Sequence, residues 1–451
     1  MSIDRTAPPA PGPLRDFSFP PVTRHALENG LPVEVARIPH LPVATAFLVL
    51  PAGEAALPED RAGQAVLAGD ALEGGTEDRS GIELAEALEG IGADLDVTTG
   101  WNATTVSLSC LADRFPEGLA LLAEMVLRPA FPAPEVERMR EQHLARIRQR
   151  EMDPGALASD HFAGFVYADG EPYGRRLLGT PASVGPVGPD TLRGLTEALY
   201  RPRGSGLVVA GDVEDREVLE VTERVLGDWT GAPPPQVDPA GEPRSRERRV
   251  LVVDRPGAVQ SEIRIGHPGA PRAVRGYAAL VVANAVLGGV FSSRLNLNLR
   301  EKHGFTYGVR ARFAYRRGPG PFTIGTAVDT GVTADAVREA VAEAERYVAD
   351  GPTAEEVASA RDYLAGVFPL QLESTRQVAS RVAELLIYGL PKDTWATHRD
   401  RIRSVDREAA LAAARTHIRP GEFQITVVGD AETVAPGLEA LELGPVEVRT
   451  P

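Results

Sequence analysis

Gly206-Leu-Val-Val-Ala-Gly-Asp212 is a short apolar run closed by Gly-Asp, and it returns 218 positions later as Gln424-Ile-Thr-Val-Val-Gly-Asp430. An unbroken apolar run of this length, stopped by a turn residue, reads as a buried β-strand. Landmarks on either side repeat in the same order. The helix-like Pro134-Glu-Val-Glu-Arg-Met-Arg140 is echoed by Ala354-Glu-Glu-Val-Ala-Ser-Ala-Arg361, with Val136 and Val357 221 positions apart, and the strand-like Leu41 to Leu50 is echoed by Val259 to Ile265. Solenoid repeats have periods of about 20–50 residues, so this spacing predicts one domain duplicated rather than an array.

Between the copies runs Thr230-Gly-Ala-Pro-Pro-Pro-Gln-Val-Asp-Pro-Ala-Gly-Glu-Pro-Arg244, which has almost nothing apolar to bury and reads as a surface linker. The expected organisation is an N-terminal extension (1–20), a first domain (21–230), the proline-rich linker (231–245, with the boundary near Pro239) and a second domain (246–451). Within each half, β-like stretches (Thr45 to Leu50, Thr104 to Ser109, Gly206 to Ala210, Val250 to Val253, Phe322 to Val328) alternate with helix-like ones. The latter are Ile82 to Ile91, Pro116 to Leu127, Pro134 to Arg150, Ala334 to Ala349 and Thr353 to Gly366, with Ser80 and Thr353 as N-caps. Helices over one face of a sheet, twice, make an α+β fold.

Of 451 residues 43% are hydrophobic, while 45 glycines and 38 prolines make up under a fifth of the chain. That is below the roughly 25–30% of low-complexity chains, so a packed core is expected. With 48 basic and 63 acidic residues the net charge is −15, which repels phosphate backbones and argues against nucleic acid as a partner. The single Cys110 excludes an internal disulfide and cysteine-based metal sites. The opening MSIDRTAPPAPGPLRDFSFP has no apolar signal segment, so a cytoplasmic location is expected. Gly276 to Ser293 is uncharged for 18 residues, but Asn284, Gly288, Gly289, Ser292 and Ser293 make it a buried helix rather than a membrane span.

No complete catalytic set can be assembled from the residues alone. No two of the eight histidines lie closer than 15 positions, so none pair at i and i+4 on one helix to hold zinc. There is no G-x-S-x-G elbow, and Leu287-Gly-Gly-Val-Phe-Ser-Ser lacks the lysine of a phosphate loop. One constellation stands out. Ser292-Ser-Arg-Leu-Asn-Leu-Asn-Leu-Arg-Glu-Lys-His-Gly-Phe-Thr-Tyr-Gly308 reads as a helix stopped at Gly304 and followed by a strand. Arg300 falls in its last turn and Tyr307 just beyond. A guanidinium and a phenol placed together can donate several hydrogen bonds to the carbonyls of a bound chain. Arg300 can equally complement the helix dipole while Tyr307 packs in the core.

This segment, Ser293-Arg-Leu…Leu299-Arg-Glu-Lys-His-Gly…Tyr307, resembles the second-domain signature of pitrilysin/insulinase-type zinc peptidases, in their processing-peptidase branch. Further matches are Leu88-Glu-Gly-Ile-Gly-Ala93, Asn102-Ala-Thr-Thr105, Pro172-Tyr-Gly174, Pro256-Gly-Ala-Val-Gln-Ser261, and Gly366-Val-Phe-Pro-Leu370 with Glu373-Ser374. The resemblance implies two homologous domains facing each other as a clamshell around a peptide. In active members the first domain carries H-x-x-E-H on a helix, with a further glutamate ligand about 75 residues on. Aligned on Gly75-Thr76, the two histidine positions hold Val66 and Asp70, the catalytic glutamate position holds Gly69, and the distant glutamate falls near Ala145 or Arg146. Valine has no lone pair and glycine cannot act as a base, so no zinc and no other cofactor are expected in this chain.

The arginine and tyrosine that match Arg300 and Tyr307 hold substrate carbonyls in this family, and some bacterial members divide the work between two chains. The resemblance therefore implies a non-zinc subunit whose homologous partner supplies zinc, the attacking water and the base, with a peptide as substrate. Extended peptides commonly add to a sheet edge, for which the strand Thr104 to Ser109 is the expected place. The alternatives are an inert core-type subunit, or a peptide-binding homodimer.

Overall fold

The repeated apolar runs become central strands of two six-stranded sheets. The computed structural model describes Gly12 and residues 15–450, so most of the 1–20 extension lies outside the described residues. The first sheet contains β1 (Val22–Ala26), β2 (Pro32–Arg37), β3 (Val43–Leu50), β4 (Asp94–Thr99), β5 (Thr104–Leu111) and β6 (Gly206–Gly211), in the order β1-β2-β6-β3-β5-β4. The second contains β7 (Arg249–Asp254), β8 (Gln260–Pro268), β9 (Val309–Phe313), β10 (Pro321–Asp329), β11 (Gln424–Gly429) and β12 (Val446–Arg449), in the order β12-β7-β11-β8-β10-β9. Five strands correspond one to one. β2 lies parallel to β6 as β7 does to β11, and β3 lies antiparallel to both β6 and β5 as β8 does to β11 and β10. The sixth strand differs, since β1 pairs antiparallel with β2 whereas β12 pairs parallel with β7.

Both sheets are covered on both faces, not one, and the strand sequences say why. Along β3, Ala44, Ala46, Leu48 and Leu50 point into the core of their own half, while Phe47 and Val49 belong to a second cluster on the opposite face. β6 divides likewise, with Leu207 and Val209 on one side and Val208 and Ala210 on the other. Strands buried on both faces are apolar at consecutive positions rather than alternate ones. The second cover comes from the opposite half. The helix Thr375–Tyr388 lays Val378, Ala379, Val382 and Ala383 on the first sheet, where Thr45 and Thr375 hydroxyls meet at 2.8 Å in the buried interface. In return, the helix Pro154–Val166 lays Leu157, Ala158 and Phe165 on the second sheet against Leu251, Val253 and Val428. The two halves exchange helices at equivalent places, which gives the duplicated α+β clamshell. Neither exchanged helix stands out in the sequence pattern, although each begins at a side-chain cap, Asp153 in one case and Ser374 with Gln377 in the other.

Smaller contacts lock the same boundary. A turn of the second half, Arg316 to Pro319, enters the first half. There Asn102 accepts from the Arg317 N–H (3.0 Å), Tyr173 Oη accepts from the Gly318 N–H (3.1 Å), and Tyr167 donates to the Pro319 carbonyl (2.8 Å). The Arg316 guanidinium lies over Trp101 and Tyr173 at 4.5 and 4.4 Å. The linker is largely exposed from Thr230 to Asp238 and then docks: Ala168 donates to the Glu242 carbonyl (2.9 Å), and Arg244 donates to that of Val166 (2.9 Å). From the chain start, Phe17 meets Phe368 of the second half edge-on at 6.0 Å.

Thr104 to Ser109 is not a sheet edge, contrary to the expectation above. It lies in β5, which is paired on both sides, and the free edge belongs to β4.

Because each half completes the other's packing, unfolding is expected in one step. Leu157 is 2% exposed and shares a buried cluster with Leu251, Val253 and Val428 of the opposite half, so Leu157→Ala should cost about 2–5 kcal/mol. Calorimetry should show a single transition at lower temperature; a transition that splits in two would contradict the interlocked arrangement.

Candidate functional site

The positions aligned with the metal motif lie on the helix Gln64–Ala71, which starts at Gly63 in the left-handed region (φ 85°). The equivalent helix of the second half, Tyr277–Asn284, starts at Gly276 with φ 79°, so the duplication reaches this turn. The N-terminal N–H groups of the first helix are satisfied by Glu54, whose carboxylate accepts from Gly63 (2.9 Å) and Val66 (3.0 Å). Glu54 is 2% exposed, and burial pushes its carboxyl up to about 7 against the pull of those bonds and of Arg175.

The donor set at this place does not fit zinc. Val66 is buried and apolar. A Cβ at Gly69 would stand 2.5 Å from Thr99 Oγ1, an atom already bonded to Thr104 Oγ1 (2.8 Å), so a glutamate would enter only by turning the Thr99 side chain away and breaking that bond. Asp70 is held in an ion pair by Arg146, which stands where the distant glutamate ligand was aligned. Arg146 also donates to His143 Nδ1 (3.1 Å), whose Nε2 bonds the Leu178 carbonyl (2.8 Å), and burial then the guanidinium hold this imidazole's pKa down. An internally neutralised cation–anion pair thus spans the gap that a metal and its ligands would span. Among the described residues, no three His, Cys, Asp or Glu side chains are grouped to hold a metal ion.

In the second half, Arg300 and Tyr307 flank a rigid stop. The backbone of Asn296–Lys302 winds wide, and the His303 N–H bonds the Asn298 carbonyl five residues back (3.1 Å). Wide turns of this kind occur mostly as single insertions and often at functional sites. Gly304 ends the helix at φ 68°, a conformation glycine adopts without strain. Arg300 remains partly exposed, stacks its guanidinium over the Phe291 ring at 4.3 Å and, among the described residues, has the neighbouring Glu301 as its one ion partner (3.4 Å). Tyr307 is 96% exposed. It does not pack in the core, and no bond joins it to Arg300. Both therefore keep donors free for another molecule.

Asn296, which the sequence pattern did not single out, holds this surface in place. Its side chain bonds the carbonyls of Val290 (3.3 Å) and Val309 (2.9 Å) and accepts from the Val309 N–H (3.2 Å). It thereby joins the loop carrying Phe291 to the strand that follows Tyr307. Thr306, beside Tyr307, is tied to Thr326 of β10 (2.9 Å), and Asn298 anchors the helix to Glu343 (3.0 Å) on Thr333–Asp350. The only advance signal for Phe291 was its place in the Gly-Gly-Val-Phe-Ser-Ser run, an isolated aromatic in a polar loop.

Residues 33–180 match the family model described as insulinase (peptidase family M16), and residues 186–364 match the peptidase M16 inactive domain. Relatives include an uncharacterized zinc protease of Mycobacterium bovis, 28% identical over 78% of this chain and 81% of that protein. Another is the non-peptidase homolog YmxG of Helicobacter pylori, 23% identical over 86% and 90%. Among solved structures, a peptidase M16 inactive domain from Pseudomonas fluorescens superposes with a TM-score of 0.85 at 24% identity, covering 91% of this chain and 98% of that one. A protease from Helicobacter pylori gives 0.82 at 17% identity, over 91% and 100%. The chain belongs to the insulinase, or M16, peptidase family.

The raised Glu54 pKa fixes a sign. The folded state keeps a proton that the unfolded chain releases above pH 4.5, so this group's stabilisation is full below that pH. It falls by roughly 3 kcal/mol as pH rises through about 7. Glu54→Gln removes this dependence. In urea melts the variant's deficit relative to wild type should be largest near pH 5 and shrink towards pH 8; a constant or growing deficit would contradict the assignment.

Proposed function

We propose that this chain is the non-zinc subunit of a two-chain zinc peptidase, holding an extended peptide for hydrolysis by a homologous H-x-x-E-H partner. The observation that carries this reading is the contrast between the two halves. Where the first half would bind metal it has an Asp70–Arg146 ion pair and a glycine packed closely against the Thr99 hydroxyl. The second half presents Arg300 and Tyr307 outward on a braced helix stop. Arg300 offers a planar fork and Tyr307 a hydroxyl, both suited to backbone carbonyls. Holding the scissile bond at the partner's metal is positioning catalysis, which removes entropy from the barrier. The partner supplies the metal, the water and the base; this chain supplies orientation.

No helix among the described residues is long and apolar enough to cross a membrane. We place the assembly in the cytoplasm, where a lone buried thiol such as Cys110 stays reduced. A second reading, an inert structural subunit, draws support from the relative named a non-peptidase homolog.

Two measurements test the proposal, and the second separates it from the inert reading. The purified chain should contain no stoichiometric zinc by elemental analysis; one zinc per chain would overturn the division of labour. Reconstituted with its partner, Arg300→Ala should lower turnover roughly tenfold to a hundredfold, the range for lost charge-assisted hydrogen bonds, and Tyr307→Phe should lower it by less. Assembly should be unchanged in both. Wild-type turnover in both variants would favour the inert subunit.

A further inference from the structure

The arginine that stands in the aligned metal motif is only partly engaged by its own chain. Arg146, on the helix Ala133–Met152, uses Nη2 for both the Asp70 carboxylate and His143 Nδ1 (3.1 Å). Its Nε and Nη1 have no partner among the described residues, and its side chain is 46% exposed. Arg138, about two turns earlier on the same helix, differs. Its Nε and Nη2 both close on Glu135 (2.9 and 2.8 Å), its neighbour along that helix.

The Arg146 guanidinium is also fixed in position. Its anchors come from two segments, Asp70 from the helix Gln64–Ala71 and His143 from the preceding turn of Ala133–Met152. His143 is fully buried and is itself held at the Leu178 carbonyl (2.8 Å). An exposed arginine ordinarily gives up rotamer freedom when it meets a ligand, and this one has already lost it. A planar group so held presents its remaining N–H donors in fixed directions, and such donors suit an oxygen acceptor.

The surrounding charge selects among acceptors. Partial burial, then the charges of Asp70 and Asp96, push the Glu73 carboxyl up, so three carboxylates already crowd this corner. A fourth would meet repulsion, whereas an amide oxygen brings a dipole and no net charge. Backbone amides reach this place most simply along β4, the open edge of the first sheet, whose Val97 and Thr99 lie against Gly69 beside Asp70. We infer that Arg146 is a peptide-binding residue in its own right, its free Nε and Nη1 donors holding a backbone carbonyl of an extended peptide in the gap that a metal and its ligands would span. The site lies in the first half and does not depend on the reading of Arg300 and Tyr307.

The test uses the full chain carrying Arg300→Ala and Tyr307→Phe, which removes the second-half pair, and an end-blocked decapeptide of alanine, serine and glycine. Binding is read by isothermal titration calorimetry, and this parent should bind the peptide saturably. Arg146→Gln combined with Asp70→Asn, which removes both charges of the pair together, should weaken binding about tenfold, the loss of one hydrogen bond from a charged donor. Arg146→Lys should weaken it as much, because lysine keeps a cation for Asp70 but lacks the planar fork. A role confined to the ion pair would leave the lysine variant binding like the parent, and that result overturns the proposal. Arg138→Gln should change affinity by less than about twofold. Thermal unfolding should stay within about 3 °C of the parent in every variant, as expected for a half-exposed ion pair. A decapeptide with two central aspartates should bind more weakly than the neutral one; tighter binding would assign the site to carboxylates and overturn the carbonyl. The proposal also fails if the parent does not bind, or if the double variant binds like the parent. If the parent binds as tightly as the chain with Arg300 and Tyr307 intact, the second-half pair holds no peptide and the Arg146 site stands.

Discussion

The helices Pro154–Val166 and Thr375–Tyr388 each bury the otherwise open face of the opposite half's sheet, and much else in the molecule follows from that exchange. A sheet whose central strands read Leu-Val-Val-Ala or Ile-Thr-Val-Val needs apolar cover on both sides. Each half provides cover for one side and lends a helix for the other. The hydrophobic effect that folds each sheet is thus also the force that joins the halves. The Asn102, Tyr167 and Tyr173 contacts to the Arg316–Pro319 turn, and the docked end of the linker, add direction to a boundary that burial already holds.

On this shared frame the two halves use their polar groups differently. The first-half helix Gln64–Ala71 is tied inward on every side, by Glu54 at its start, by Thr99 against Gly69, and by Arg146 on Asp70. Its polar groups are used up within the chain. The second half uses its polar groups to brace a loop–helix–loop surface whose outermost side chains, Phe291, Arg300 and Tyr307, stay unspent.

What could be read in advance follows the range of the interactions involved. The duplication, the strands at Gly206 and Gln424, and the caps at Ser80 and Thr353 are written in local sequence, and each appears where its pattern placed it. The two exchanged helices were not legible, because Pro154-Gly-Ala-Leu-Ala-Ser-Asp has an apolar face that makes sense only against strands about 100 and 270 residues away. The β5 edge was misjudged for the same reason, since strand order is a non-local property and β4 lies outside β5. At the candidate site, motif spacing gave Arg300 and Tyr307. It could not give their exposure, the wide helical turn or the bracing by Asn296, which depend on contacts across the loop.

The docked linker has a mechanical consequence. Residues 239–245 are bound to the first half just before β7 begins, and the exchanged helices pin both sheets on either side of that crossing. No slack remains about which one half could swing away from the other without exposing two hydrophobic clusters at once. The two halves of this chain therefore move together as one rigid body.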